Sequence, residues 1–438
     1  MRRAFVQLLL AAAVAACGGG GGGVDVSAPV PAPGAAPVSG PAPAPGPTGS
    51  ATGQDWVTHQ GNAAHTGYVD DTLEPSAFAK LWEWQRPFDD GSIVAINNVV
   101  TGHGKVYVTN DVYFGDGVVR AFDEATGTEA WRASLGTLPA MGPAALDGDA
   151  LFVPTTGHED TFLWAFDANS GALLRKSAFE TQWSNAFPPT IHDGLAYVGA
   201  GYYGGMLYGF STRTGELAWS YEARGAWDTF TPAVDDRFVF HHNGSALHVY
   251  DKAANAASVI EDPFGGDSDS SYHGAPMIGG RGNVVAFARG SFSGRALSSA
   301  EQYEQRVLSS FAIASRRHEW ATPYAYLTAP AVANGVIYAA RNSPMSFDAI
   351  DEITGRVLWS WTPPSENGDA SFHRNTVVTR NLAFVSTDKA IYAVDLATRQ
   401  AVWRHPEPGV IAISAQRRLL LNVGATVSTG KLVAFKLR

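Results

Sequence analysis

The residues that first suggest chemistry in this chain lie in the stretch AFDEATGTEAW, at positions 121–131. Asp123, Glu124 and Thr126 carry the carboxylate and hydroxyl oxygens that a metal ion or a cofactor needs. The same stretch also has the composition of a tight turn between two strands, followed by a tryptophan that docks it. Whether it is a ligand site or a turn decides between an enzyme and a scaffold.

Related stretches recur six more times, at 165–175, 209–219, 249–259, 311–320, 349–359 and 393–403. Four residues after the Asp position stand, in order, Gly127, Gly171, Gly215, Asn255, Arg316, Gly355 and Arg399. Gly and Asn suit the positive φ that ends such a hairpin turn, and they fill five of the seven positions. We therefore interpret the stretch as a hairpin and its acidic residues as turn formers.

Each hairpin follows a further pair of strands, as in PTIHDGLAYVG at 189–199. Four strands per unit, at a spacing near 44 residues, are typical of β-propeller blades. Seven units are complete, and 410–438 supplies three strands of an eighth. We expect FAKLWEWQ at 78–85 to supply the fourth strand, beside Leu432 to Leu437. The sequence thus predicts an all-β chain, with one eight-bladed β-propeller over residues 55–438 closed by an N-terminal strand in the last blade.

The first 54 residues have a different composition. Two arginines and an apolar stretch from Ala4 to Ala16 precede Cys17, the only cysteine, in a pattern that resembles a bacterial lipobox. We expect a signal peptide over residues 1–16, lipid on Cys17 and a Gly/Pro/Ala-rich tether over 17–54. A plain signal peptide with a chance cysteine is the alternative. Gly18 favours an outer-membrane lipoprotein whose domain faces the periplasm or the cell surface.

Charge limits the classes of partner. The chain has 41 acidic and 31 basic residues, a net charge of -10, and its basic residues form no run longer than a pair such as Arg316 and Arg317. This pattern argues against a nucleic-acid partner. With Cys17 lipidated, no internal disulfide can form. We expect a monomeric propeller.

Units of the type YVxx…LYAFDxxTGxxLW, over roughly residues 78–438, resemble the repeats of the pyrroloquinoline-quinone-type eight-bladed propellers. That superfamily includes quinoprotein dehydrogenases and outer-membrane assembly lipoproteins of the BamB type, so the fold alone selects no function. The resemblance implies that tryptophans pack between neighbouring blades. That role falls to Trp131, Trp219, Trp320, Trp359 and Trp403.

The dehydrogenase branch carries a pair of adjacent cysteines, calcium ligands and a catalytic Asp. A chain with one cysteine lacks the pair, and no stretch allows the calcium ligands or the Asp to be transferred. Some sugar-type quinoproteins also lack the cysteines, so the enzyme stays open. The leading hypothesis is a lipid-anchored scaffold for a protein partner, without catalytic residue, cofactor or metal. The alternative is a dehydrogenase that uses pyrroloquinoline quinone and calcium, and a weaker one is a glycan-binding propeller.

Loops at one face of the propeller supply the candidate binding residues. This face carries the connections from the fourth strand of one blade to the first strand of the next, together with the loops between second and third strands. We call this face the mouth, because the central channel opens there. The predicted ligand or partner face comprises Trp183, Trp227, Tyr272, His273, Tyr324, Tyr326, His373 and Arg374. Aromatic residues and Arg dominate contact energies at interfaces. The alternative is that these residues only plug and rim the channel.

Three other patterns resemble parts of a metal site or a nucleotide site. His59 and His65, in DWVTHQGNAAHTGY at 55–68, could pair, but no third ligand for zinc lies nearby in the sequence. DSDSSY at 267–272 lacks the Gly and Glu of a calcium loop, and GATVSTGKL at 424–432 lacks the spacing of a P-loop. No role follows from the sequence for 55–68 or for the insertion at 288–305.

Overall fold

The computed structural model describes residues 54–87, 95–157, 161–180, 188–200, 206–222, 231–243, 245–264, 275–288 and 306–438. The predicted signal peptide, Cys17 and all of the tether but Gln54 lie outside this part. The described chain consists of β-strands, loops and three short 3-10 turns, His59–Gly61, Pro75–Ala77 and Ser365–Asn367. None of its helical segments is long and apolar enough to cross a membrane.

The described strands form six antiparallel sheets of four strands and one sheet of eight strands. We divide them into eight units of four strands, called blades, and blades 1 and 2 share the eight-stranded sheet. The chain begins with β1 (Ala79–Gln85) and continues through blade 1, which comprises β2 (Val100–Gly102), β3 (Lys105–Thr109), β4 (Tyr113–Asp123) and β5 (Glu129–Met141). Blade 2 comprises β6 (Ala145–Asp147), β7 (Ala150–Thr156), β8 (Phe162–Asp167) and β9 (Leu173–Ala178). Blade 3 comprises β10 (Thr190–His192), β11 (Leu195–Ala200), β12 (Met206–Ser211) and β13 (Leu217–Glu222). Blade 4 comprises β14 (Ala233–Val234), β15 (Phe238–His242), β16 (Ala246–Asp251) and β17 (Ala256–Glu261).

Blade 5 comprises β18 (Met277–Ile278), β19 (Asn283–Ala288), β20 (Val307–Ala312) and β21 (Arg317–Ala325). Blade 6 comprises β22 (Ala331–Ala333), β23 (Val336–Asn342), β24 (Met345–Asp351) and β25 (Val357–Trp361). Blade 7 comprises β26 (Phe372–Val378), β27 (Leu382–Thr387), β28 (Ile391–Asp395) and β29 (Ala401–His405). Blade 8 combines β30 (Gly409–Ile413), β31 (Arg418–Val423) and β32 (Lys431–Lys436) with β1.

The strand pairing expected at the end of the chain is present. β1 pairs antiparallel with β32, with Trp82 opposite Ala434 and Trp84 opposite Leu432. Blade 8 packs against both neighbours, because one buried apolar cluster contains Leu432 together with Phe384 of blade 7 and Phe122 of blade 1. The first and last blades of the chain are therefore in contact.

The hairpins between third and fourth strands have the expected backbone. All seven residues at the Gly position have a positive φ, including Arg316 at 51° and Arg399 at 59°. The carboxylate of Asp123 accepts the backbone N–H groups of Ala125 and Thr126, at 3.1 and 2.8 Å. Asp residues at the same position of four other hairpins accept equivalent bonds: Asp167, Asp251, Asp351 and Asp395. These acidic residues are turn formers, as the repeat predicts.

Glu124 does not fit that interpretation, because its side chain is fully buried. Its carboxylate accepts a hydrogen bond from the Ser414 hydroxyl of blade 8. The prediction that Glu124 serves the turn is therefore wrong: the Asp before it makes the turn, and Glu124 points into the junction between two blades.

Indole rings lie beneath the hairpin glycine of the next blade. The N–H groups of Trp82, Trp131 and Trp320 donate to the backbone carbonyls of Glu124, Ala168 and Glu352, at 2.9, 3.0 and 3.1 Å. A β-carbon added to the glycine above each ring would lie 2.5 to 2.6 Å from a ring atom, which holds at Gly127, Gly171 and Gly355. Side chains larger than hydrogen therefore have no room there.

The other blade tryptophans contact the next blade through side chains. Trp219 packs against Tyr250 with ring centroids 4.7 Å apart, and Trp403 packs against Phe435 at 5.3 Å. The guanidinium of Arg399 lies 5.8 Å from the ring of Trp359. In blade 2, Arg175 takes the place of the tryptophan, and its Cδ would lie 2.8 Å from a β-carbon on Gly215.

Candidate functional site

Residues 55–71, which we call the axial segment, run along the innermost strands of the propeller. Backbone N–H groups from six blades donate to the segment's carbonyls at 2.8 to 2.9 Å. The donors are Thr101, Leu146, Val234, Ile278, Val332 and Val378, and the acceptors are, in order, Trp56, Val57, Ala63, Ala64, Thr66 and Gly67. The hydroxyl of Thr58 donates to Pro189, directly before β10 of blade 3, at 2.5 Å. The segment thus joins seven blades across the axis.

Gln60 is the side chain that joins the segment to blades 6 and 7. Its amide nitrogen donates to the carbonyls of Pro330 and Thr376, at 2.8 and 3.0 Å. Its amide oxygen accepts from Asn375 at 2.8 Å. Asn375 also exchanges two hydrogen bonds with the backbone of Ile411, in blade 8. Every amide atom of Gln60 therefore has a partner in the buried centre of the propeller.

His59 and His65 come together in the segment, with ring centroids 5.0 Å apart and perpendicular rings. Burial lowers the pKa of His59 to about 4, and burial together with His59 places the pKa of His65 well below its ordinary value. Both rings are neutral at pH 7. The ring nitrogens of His65 bond the Pro276 carbonyl at 2.7 Å and the Thr190 hydroxyl at 3.2 Å. In the described residues no third His, Cys, Asp or Glu completes a metal site around them.

Both ends of the axial segment lie at the face opposite the mouth. Asp55 lies near Gly102, the last residue of β2 before the turn to β3. At the other end, Asp71 pairs with Arg417 in the turn between β30 and β31, and Asp70 pairs with Arg380 at 2.6 Å. First-to-second turns mark the face away from the mouth. The segment therefore enters and leaves the channel by the same side.

A small cavity separates the axial segment from the mouth. Its floor is formed by Trp56, Thr58, His59 and Gln60, and its walls include Asn375 and Asn422. The side-chain oxygen of Asn375 accepts from the backbone of Ile411, and that of Asn422 accepts from Ser428 at 2.6 Å. The described residues that line the cavity include no Asp or Glu, the carboxylate ligands that calcium commonly uses.

Half of the predicted mouth residues lie outside the described part of the chain: Trp183, Trp227, Tyr272 and His273. Tyr324 is 39% exposed and lies beneath the guanidinium of Arg341, 3.9 Å from the ring centroid. Tyr326 is fully buried, and its hydroxyl donates to Asp348 at 2.8 Å. The prediction that Tyr326 belongs to an exposed face is wrong, because its ring packs in the core of blades 5 and 6.

His373 and Arg374 lie half-buried at the mouth end of β26, where the register with β27 shifts. The His373 ring bonds the Ser371 hydroxyl at 2.7 Å, and burial lowers its pKa. The Arg374 guanidinium donates from Nε to the Gly424 carbonyl at 3.1 Å. Burial lowers the pKa of Arg374 to about 10, and the charge of Asp111 opposes that shift.

The structure adds three exposed apolar side chains that the sequence analysis did not select. Tyr113 and Phe114 are 70% and 52% exposed, with rings 5.0 Å apart, at the mouth end of β4. Val427, 64% exposed, lies in the loop between β31 and β32. Tyr113 and Phe114 begin the third strand of blade 1, directly after its second-to-third loop, and Val427 lies in the second-to-third loop of blade 8. The adjacent aromatic residues in NDVYFGDG at 110–117 are the sequence feature from which the exposed pair could have been predicted.

Solved structures share the fold at low sequence identity. The quinohemoprotein alcohol dehydrogenase of Comamonas testosteroni has a TM-score of 0.60 at 13% identity, covering 89% of this chain and 81% of its own. The enzyme ADHIIG of Pseudomonas putida HK5 has a TM-score of 0.58 at 12% identity, covering 88% and 80%. The computationally designed Ika8 protein has a TM-score of 0.56 at 12% identity, covering 79% and 98%. These likenesses show the fold alone.

Comparison with curated proteins gave no significant match. A family model described as outer membrane protein assembly factor BamB matches residues 115–361, more than half of the chain. The matched part extends from blade 1 to blade 6, and its repeated hairpins are the ones described above. The chain therefore belongs to the family of the outer membrane protein assembly factor BamB, a family of pyrroloquinoline-quinone-type β-propellers.

Proposed function

We propose that this protein is a lipid-anchored binding scaffold of the bacterial envelope, whose mouth holds a protein partner and which has no catalytic activity of its own. The observation that carries the proposal is that the chain's own residues fill the floor of the mouth, whereas apolar side chains are exposed at its rim. The chain's own Trp56, His59 and Gln60 form the floor of the cavity. The described rim exposes Tyr113, Phe114 and other apolar side chains. Such a rim favours contact with another protein surface.

Tyr324 adds a fixed contact to this rim. The Arg341 guanidinium stacked on its ring is itself held by the buried carboxylate of Asp348, at 2.7 Å. Asp348 also accepts bonds from Tyr326, Ser346 and Ser360. An aromatic ring that is immobilised before binding loses little entropy in the complex, and this favours its use as an anchor.

The proposed anchor is lipid on Cys17, followed by the tether over 17–54. The tether joins the axial segment at Asp55, on the side away from the mouth. A chain tied to the membrane from that side leaves the mouth free to meet a partner, which supports the outer-membrane lipoprotein predicted from the sequence. We propose the periplasmic or cell-surface side of that membrane as the location.

A cross-linking experiment tests the scaffold. A photoreactive amino acid replaces Tyr113 in the protein within its own membrane, and a matched variant carries it at Leu358, which is 52% exposed on the outer strand of blade 6. We expect one defined protein adduct from position 113 only, with a lower yield when Phe114 is changed to Gly. Identical adducts from both positions, or none from position 113, would contradict the proposal.

The quinoprotein dehydrogenase remains the rival, since two alcohol dehydrogenases share the fold. Titration with pyrroloquinoline quinone and calcium, followed by tryptophan fluorescence, separates the two. Trp56 in the cavity floor makes the mouth observable in this way. Saturable quenching near one quinone per chain would contradict a pure scaffold, and unchanged fluorescence would remove the dehydrogenase.

A further inference from the structure

Blade 4 pairs its third and fourth strands without a register shift. In the other seven blades of the described chain the pairing shifts beside the hairpin, and a tryptophan, or Arg175 in blade 2, stands opposite a small residue of the third strand. Trp131 thus stands opposite Ala121. In blade 4 the pairing is regular, and Ser258 stands opposite Val249. The indole position of this blade is therefore held by a serine.

The spacing of the repeat points to a different residue. Val259 lies four residues after Asn255, the separation at which most other hairpins have tryptophan. Successive side chains of a strand point to opposite faces, so Val259 and Ser258 face opposite sides of β17. Val259 is 47% exposed. It does not take the place of the indole between the blades.

A cavity of about 160 Å³ lies between Ser258 and the hairpin of blade 5. Its lining from blade 4 includes the buried side chains of Val249 and Ile260, and blade 5 contributes Ile313 and Arg316. An engineered apolar cavity of about 150 Å³ in another protein binds benzene. The volume between blades 4 and 5 is therefore large enough for an aromatic ring.

Arg316 occupies the hairpin position that covers an aromatic ring elsewhere in the propeller. In blade 7 the same position holds Arg399, whose guanidinium lies 5.8 Å from the ring of Trp359 in the preceding blade. The φ angles of Arg316 and Arg399 are similar, 51° and 59°. Arginine over an aromatic face is an attractive arrangement. Arg316 thus stands where it can cover a ring, but the strand of blade 4 supplies Ser258 there.

The hairpin of blade 5 also offers an acceptor for an indole N–H. The indoles of Trp82, Trp131 and Trp320 donate to the carbonyl three residues before the hairpin glycine of the next blade. Three residues before Arg316 stands Ile313, which lines the cavity. Its carbonyl accepts the backbone N–H of Arg316 at 3.3 Å. A carbonyl oxygen has two lone pairs, so a second donor can bind.

The charged side chains of the lining favour a neutral ligand. They are one acidic residue and one basic residue, Asp251 and Arg316. The Asp251 carboxylate accepts from Arg237 at 2.8 Å and from the backbone N–H of Ala254 at 3.0 Å. It is therefore engaged within blade 4.

We propose that the cavity between blades 4 and 5 binds a small, neutral, planar aromatic molecule of the indole class. The ring takes the place of the missing tryptophan, its N–H donates to the Ile313 carbonyl, and Arg316 covers its face. β17 already supplies the backbone that carries the indole in other blades, so the ring alone is missing and a free molecule fits better than a peptide.

This site is independent of the proposed scaffold function. Turns between third and fourth strands lie at the same end of an antiparallel blade as turns between first and second strands, which is the face away from the mouth. Failure of either proposal therefore leaves the other intact.

Calorimetric titration of the full chain with indole tests the site. We expect saturable binding of one indole per chain and no binding to Ser258→Trp, because the new side chain fills the cavity. Val259→Trp is the matched control: it adds the same side chain to the next residue of β17, on the other face, and should bind indole as the unaltered protein does.

Two further comparisons keep the test decisive if Ser258→Trp does not fold. Arg316→Gly is expected to weaken indole binding about threefold, since the cation over the ring is lost. Arg399→Gly is its control, because Trp359 already occupies that junction. 1-Benzofuran, which has the shape of indole without the N–H, is expected to bind about fivefold more weakly than indole.

Four results would overturn the inference. They are no binding of indole to the unaltered protein, undiminished binding to Ser258→Trp, equal effects of Arg316→Gly and Arg399→Gly, and tighter binding of N-acetyl-tryptophan amide than of indole. The last result would assign the cavity to a tryptophan side chain of another protein and not to a free aromatic molecule.

Discussion

Trp320 and Gly355 lie face to face across the junction between blades 5 and 6. A β-carbon on Gly355 would stand 2.6 Å from the indole ring, and the ring's N–H donates to the backbone of Glu352 in the same hairpin. The glycine is therefore required twice, once for its φ of 68° and once for the ring beneath it. Only a hydrogen on the α-carbon fits in the space that the indole leaves.

The substitution Gly355→Ala separates these two requirements. We expect it to lower the free energy of unfolding by about 3 kcal/mol or more, from left-handed backbone strain plus overpacking. Gly335→Ala is the matched control, because Gly335 has a φ of 77° and no atom within 4 Å of an added β-carbon. That variant should lose only about 1 kcal/mol from the backbone. Equal losses in urea unfolding would show that the ring contact is unimportant.

Glu124 makes the stability of the ring dependent on pH. Burial raises the pKa of this carboxyl to about 7, although the Ser414 hydroxyl opposes the shift. A folded-state pKa above the unfolded value of 4.5 stabilises the protein below pH 4.5, and this contribution is lost as pH rises through 7. The loss amounts to at most about 3 kcal/mol.

Thermal unfolding from pH 4.5 to 8 measures this effect. We expect the midpoint temperature to fall with rising pH, and Glu124→Gln to reduce that fall because its amide stays neutral. Glu366→Gln is the control, since Glu366 is exposed in the turn Ser365–Asn367. An unchanged pH profile in Glu124→Gln would refute the assignment.

Gln60→Ala tests the hold of the axial segment on the blades. The change removes the side-chain donor from the buried carbonyls of Pro330 and Thr376, and it removes one of the two acceptors of the Asn375 amide nitrogen. We expect a loss of about 2 to 4 kcal/mol in denaturant unfolding. Gln85→Ala removes an exposed glutamine with one backbone bond, to Thr429, and should cost about 0.5 kcal/mol or less. Comparable losses would mean that the segment does not join the blades.

Arg175→Trp restores the repeat in blade 2. Arg175 lies against Gly215, where the equivalent glycines of other blades cover an indole, and its Nε is buried without a hydrogen-bond partner. An indole at this position can donate to the backbone of Thr212, as Trp131 does to Ala168. We expect a gain of about 1 kcal/mol in stability, as for other substitutions toward a repeat consensus. A lower unfolding midpoint would show that Arg175 is required here.

The repeat could be predicted because the hairpins of different blades carry the same residue types at the same positions. Gly171, Asp167 and Trp131 follow fixed offsets, and even the arginines at 316 and 399 keep the positive φ of the glycine they replace. The partner of β1 was also predictable, since blade 8 lacked one strand. Trp82 was not among the docking tryptophans predicted from the sequence, because it precedes the repeats. It nevertheless packs under Gly127 in the same way.

The axial segment could not be predicted in the same way. Its carbonyls bond to six different strands, so its sequence has neither a two-residue nor a seven-residue period. Glu124 looked like its neighbour Asp123, and only the position of Ser414 in the fold reveals a different role. Burial of Tyr326 depends on Asp348, which lies in another strand.

The axial segment also has a consequence for folding, which we expect to depend on contacts between distant parts of the sequence. Gln60 bonds to Thr376, and Asp71 pairs with Arg417. These contacts join residues near the start of the chain to residues more than 300 positions later, so they form only after the later residues are synthesised. Contacts at such separation form slowly, since the intervening chain must be closed into a loop before they stabilise anything. We therefore expect partial chains to lack these contacts of the axial segment. We also expect the axial segment and the last blade to complete their native contacts together, late in folding.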